Sequence, residues 1–152
     1  MNHFILLGII YFAFISLGLP DSVLGVAWPT MRATLLQPIE AAGLITLVLT
    51  ICSAISSFAS GAVLKRLGTG PVVMISGLLP GLARLGFSFG PSFGVLLLLA
   101  IPLGLGAGSV DAGLNHFVAQ HYSSRHMNWL HGCWGIGATL GPIIMGMALA
   151  TA

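Results

Sequence analysis

Charge is what this chain has least of. Of its 152 residues only 5% are Asp, Glu, Lys or Arg, whereas a soluble domain carries about 25% because its surface must face water. That shortage excludes a soluble globule. The charged residues are Asp21, Arg32, Glu40, Lys65, Arg66, Arg84, Asp111 and Arg125, and the net charge of +2 forms no basic stripe, which excludes a nucleic-acid partner. Cysteine is scarce as well. Cys52 and Cys133 both fall in apolar runs, where they suit packing better than a disulfide framework. Also missing are a Gly-x-Ser-x-Gly elbow, a Walker loop and a His-Glu-x-x-His pair, so neither an enzyme nor a resident cofactor is expected.

What the chain has is apolar length. It is 57% hydrophobic with a mean hydropathy of +1.04, and uncharged runs of about 18 or more residues are membrane-helix candidates. The pattern predicts an all-α integral membrane protein with five transmembrane helices over residues 3–32, 40–64, 71–90, 92–118 and 128–150. Gly18 beside Pro20 predicts a kink in the first. Polar turns are expected at residues 32–40, 65–71, 90–92 and 120–127, with Glu40 opening the second helix, where its carboxylate complements the dipole. No Lys or Arg precedes the first run, which is longer than the roughly 7–15 apolar residues of a signal peptide, so a retained helix is expected. Lys65, Arg66 and Arg125 follow even-numbered helices and Arg32 alone follows an odd one, which places the N-terminus in the cytoplasm of a cell or inner membrane. Residues 146–152 close a helix with no loop or tail after it, so the chain is expected to be part of a longer protein.

Asp111 is the costliest residue. No other charge lies between Leu85 and Ser124, and an Asp at the centre of a membrane helix costs roughly 2.5–3.5 kcal/mol even on the lenient insertion scale. Folding does not demand that cost, so Asp111 is expected to face a wet, protein-lined cavity that binds a solute or moves a proton. Gly104, Gly108, Asp111 and Asn115 share one helical stripe at i, i+4, i+7 and i+11. The two glycines admit a neighbouring helix and leave the polar pair beside it. A packing stripe with a buried Asp–Asn hydrogen bond is the alternative.

Asp21 follows Pro20, which frees the carbonyl of Ser16, so a carboxylate and unsatisfied backbone coincide at membrane depth. It serves either function or a pair with Arg84. Gly137, Gly141 and Pro142 form a small-residue packing face on the fifth helix. Trp28, Trp129 and Tyr122 lie near expected helix ends and suit interface anchoring. His116, His121, His126 and His131 recur every five residues, a step of about 140° that scatters them around a helix, so no metal site is expected and they read as loop or interface residues.

Several segments resemble a known family. Gly106-x-Gly108-x-x-Asp111-x-x-x-Asn115-x-Phe117-Val118 is similar to the fourth helix of fucose-permease-like sugar:proton symporters of the major facilitator superfamily. Gly18-Leu-Pro-Asp21-x-x-x-Gly25-x-x-Trp28-Pro29 resembles their first helix, and Gly61-x-x-x-Lys65-Arg66-x-Gly68-x-Gly70 their cytoplasmic signature between helices two and three. Asn128-Trp129-Leu-His131-Gly and Gly137-x-x-x-Gly141-Pro142 match the fifth. Two departures stand out. The signature normally carries an acid where Lys65 stands, and the helix-four Arg of drug–proton antiporters would fall at Ala100 or Pro102.

The resemblance implies an incomplete N-terminal six-helix bundle whose partner, a C-terminal bundle, is missing. It further implies proton-coupled uptake of a small solute such as a sugar. Asp111 and Asp21 would couple protons, Asn115 would bind solute, and Gly61, Lys65, Arg66 and Gly68 would form a gating loop. The partners expected are therefore a small-molecule solute, protons and the lipid bilayer. Proton-driven efflux is one alternative. A small membrane protein or gene remnant acting only through helix packing is the other, and by itself the chain is expected not to transport.

Overall fold

The computed structural model describes residues 3–90 and 92–151, with the backbone alone for His3. Its elements are α1 (His3–Gly18), α2 (Val23–Leu35), α3 (Ala41–Leu67), α4 (Thr69–Ser88), α5 (Phe93–His121) and α6 (Ser124–Ala150). No strand occurs among the described residues. Five stretches are long and apolar enough to cross a membrane, because α1 and α2 together form one span, Phe4–Leu35. The fold class is therefore the expected one, an all-helical multi-pass membrane protein. Helices follow from the solvent: lipid offers no hydrogen bonds, so each span must satisfy its own backbone. Pro29, Pro80, Pro102 and Pro142 all sit inside helices, as is tolerated in membranes.

The expected kink at Pro20 is a full break, residues 19–22, with short turns in place of the helical ladder: Asp21 N–H donates to Gly18 O at 3.2 Å and Val23 N–H to Pro20 O at 3.3 Å. Several other helices outrun their expected ends, although α4 stops at Ser88, short of residue 90. α2 reaches Leu35 rather than Arg32, and α3 reaches Leu67. The turn expected over residues 65–71 shrinks to Gly68, whose φ of 79° and ψ of 162° belong to a region that is essentially glycine's alone. Glu40 stands at the N-cap of α3 rather than inside its first turn and makes no side-chain cap bond. Residues 120–127, expected as a polar loop, are mostly helical, since α5 ends at His121 and α6 starts at Ser124. The cause is length: helices longer than the hydrocarbon is thick project polar ends among head groups, where polar residues carry no penalty. Of the turn expected at residues 90–92, Pro91 lies outside the described residues.

The chain forms two compact units. One comprises α1, α2 and α6, and the other α3, α4 and α5. Phe14 and Leu130 anchor the first core; Ile45, Leu96 and Ala100 anchor the second. Large apolar side chains such as Phe4, Phe58, Leu98 and Met147 remain exposed, the arrangement that acyl chains would cover.

Candidate functional site

In the first unit the α1–α2 break presents Asp21. Its carboxylate is exposed, and Oδ2 accepts a hydrogen bond from Trp134 Nε1 of α6 at 2.9 Å. Two glycines of α6 make that approach possible. A Cβ at Gly137 would overlap the carbonyl oxygen of Ile15, and one at Gly141 that of Leu19, in the break itself. Gly18 reciprocates, since a Cβ there would strike Trp134 O and Ala138 N. The packing role expected of Gly137 and Gly141 is thereby given a partner helix. Pro142 is half-buried beside them.

Close to the other end of the pair, Tyr11 Oη and His126 Nδ1 share a hydrogen bond of 2.7 Å. Trp129 and Tyr122 set their rings edge-on to His126, at centroid distances of 5.7 and 5.6 Å. His131 meets the edge of Phe14. Of the histidines expected in loops or at the interface, His126 and His131 belong to α6, and their rings pack on aromatics. No group of metal-ligating side chains occurs among the described residues. Trp129 is 55% exposed, as an interface anchor should be, but Trp28 is 2% exposed and packs in the core. The helix runs on past its expected end at Arg32 to Leu35, so Trp28 stands farther from that end than expected.

In the second unit α5 packs on α3 through glycine and serine. A Cβ at Gly104 would overlap Leu49 O, and one at Gly108 would overlap Ser53 O. Ser56 Oγ donates to Leu105 O at 2.5 Å and also meets Ser109 Oγ, while Ser57 Oγ donates to Gly108 O at 3.2 Å. Residues 104, 105, 108 and 109 therefore define the seam. Asp111 falls about 90° from its centre and Asn115 about 50°, at 100° per residue. The two polar members of the stripe therefore differ in surroundings: Asp111 is exposed, while Asn115 is half-buried. Asn115 Oδ1 is enclosed and has no hydrogen-bond partner among the described residues. An enclosed amide oxygen awaits a donor.

The segment expected to gate, Gly61, Lys65, Arg66 and Gly68, spans the end of α3 and the one-residue turn into α4. Gly61, Leu64, Lys65, Gly68 and Thr69 join His116 and Gln120 of α5 around a recess of about 380 Å³. Arg66 is exposed and is not among the residues that line it. Of the two candidate positions of the antiporter arginine, Ala100 is fully buried and Pro102 is half-buried. Sequence reasoning missed Trp134 and Tyr11. Each bonds a polar partner more than a hundred positions away, a relation that periodicity does not carry.

With this geometry in hand, comparison with known proteins identifies the family. The model of the Major Facilitator Superfamily matches residues 10–152. Methyl viologen resistance protein SmvA from two strains of Salmonella typhimurium, 14028s and LT2, is 30% identical over 97% of this chain. The chain spans about a third of the length of these relatives, 31%. Five apolar crossings, helix pairs closed through glycine, and a family match over nearly every residue converge on one conclusion: the chain belongs to the major facilitator superfamily, a family of transporters.

Proposed function

We propose that this chain supplies the first five crossings of a proton-linked transporter that exports small organic cations. The observation that carries the reading is the placement of Asp111 on α5, an exposed carboxylate in a span whose neighbouring faces are otherwise closed by glycine, serine and aliphatic packing. A carboxylate there can hold either a proton or a cationic solute, and exchange of one for the other is the elementary step of antiport. Asp21, oriented by Trp134, is the second proton carrier. Export of cations is favoured over uptake because the relatives are named for resistance to methyl viologen, itself a dication.

The solute would lie between this bundle and a second one, and access would alternate by rocking of the two. The positions of Lys65, Arg66 and Arg125 favour a cytoplasmic N-terminus. Proton-coupled uptake of a hydroxylated solute such as a sugar is a second reading. It is favoured by Asn115, whose enclosed Oδ1 suits a hydroxyl donor.

The test is transport by the complete protein carrying this segment, in everted membrane vesicles energised with a proton gradient. Methyl viologen should accumulate, and Asp111→Asn should abolish accumulation while leaving some exchange. Undiminished accumulation in Asp111→Asn would remove the coupling role. Sugar-driven proton entry without cation transport would select the second reading. Reconstituted alone, the 152-residue chain should show no saturable uptake.

A further inference from the structure

We propose that the recess among the ends of α3, α4 and α5 is a phosphate-binding site, filled by the head group of an anionic membrane lipid. The recess holds about 380 Å³ and is lined by Lys65, Thr69, His116 and Gln120 as its polar side chains, with Gly61, Leu64 and Gly68 between them. An ammonium, a hydroxyl, an imidazole and a carboxamide all donate hydrogen bonds, and no acid lines the space. Asp111, the nearest acid along α5, lies five positions before His116 and so about 140° around the helix. Arg66 adds a second cation in the same last turn of α3. α4 opens at Thr69 with no side-chain cap, so its first amides are also available.

Depth argues for a lipid as the source of the phosphate. α3 has 27 residues and α5 has 29, lengths of about 40 and 43 Å at 1.5 Å per residue, against a hydrocarbon core of about 30 Å. Their last few residues therefore stand at head-group level, where Lys65 and Gln120 are found. Val63 and Leu67, both exposed, continue the surface of α3 beside the recess as apolar ground for acyl chains. Basic recesses between membrane helices at this depth take lipid phosphates. The inference depends on these three helix ends and not on the transport reading.

The test is lipid retention by the purified chain, measured by native mass spectrometry after exchange into phosphatidylglycerol or phosphatidylcholine of identical acyl chains. Phosphatidylglycerol should be retained preferentially. Lys65→Gln should lower its retention about fivefold, the effect of one cation near a phosphate, and His116→Gln with Gln120→Ala should lower it further. Arg125→Gln removes the same charge from a residue that does not line the recess and should change nothing. These side chains are exposed, so the fold should survive each change, which thermal unfolding verifies. Inorganic phosphate that displaces the lipid with the same dependence on Lys65 would keep the phosphate site but move its source to water. Equal retention of both lipids, or equal losses in Lys65→Gln and Arg125→Gln, would overturn the proposal.

Discussion

Two helix pairs, α1 with α6 and α3 with α5, close by the same device and are then bonded differently. In each, two glycines four residues apart lie under two carbonyls four residues apart: Gly137 and Gly141 under Ile15 and Leu19, Gly104 and Gly108 under Leu49 and Ser53. Lipid gives helices no hydrophobic reason to associate, so contact must come from close backbone approach and polar bonds. The polar bonds are where the pairs part. α3 and α5 are joined by serine hydroxyls to backbone and to each other, groups that do not titrate near neutral pH. α6 is joined to α1 by Tyr11 with His126, and to the break after α1 by Asp21 with Trp134. One seam is bonded through neutral hydroxyls, the other through an imidazole and a carboxylate.

Breaking the shared device should have the largest effect. Gly141→Val and Gly108→Val each drive a side chain into a carbonyl that cannot step aside, and each should destabilise by about 3 kcal/mol, seen as a lowered unfolding midpoint in detergent. A mild response from either would mean that its seam can open without loss. Gly68→Ala, at the turn between α3 and α4, should destabilise by about 1–3 kcal/mol through backbone strain alone, with no new contact to blame because the space around it is empty.

The contrast between seams is sharpened by paired substitutions. Ser56→Ala and Trp134→Phe should each destabilise by about 1 kcal/mol. Only Trp134→Phe should also change the pH dependence of transport in the complete protein, because only it touches a carboxylate. A shifted pH profile in Ser56→Ala would erase the distinction. The smallest effect is expected at Leu36, an exposed leucine at φ 53° after the end of α2. Leu36→Gly should stabilise by about 0.5 kcal/mol, since glycine adopts that conformation without the clash a Cβ brings.

Much of this was legible before any coordinates. Apolar run length placed all five crossings, Pro20 with Gly18 marked the break, and the i, i+4 glycines marked both packing faces. What periodicity could not supply was the partner of each face. The stripe through Gly104, Gly108, Asp111 and Asn115 is real on α5, yet α3 docks across residues 104, 105, 108 and 109 and leaves Asp111 outside the seam. Trp28 misled for a related reason. A tryptophan four residues before an expected helix end looks like an interface anchor, whereas this helix runs on to Leu35 and the ring is buried. Helix ends were misplaced wherever polarity was taken for a loop, as at residues 120–127, because polarity there records the water outside the bilayer rather than the absence of a helix.

The interruption at residues 19–22 has a mechanical consequence. Leu19 presses its carbonyl onto Gly141, so the joint of the first crossing is clamped by a different helix, and the clamp has no side chain in it to yield. Any bending of that crossing must therefore drag α6 along. Substitutions on α6 that never meet a solute should then alter which side of the membrane the solute reaches.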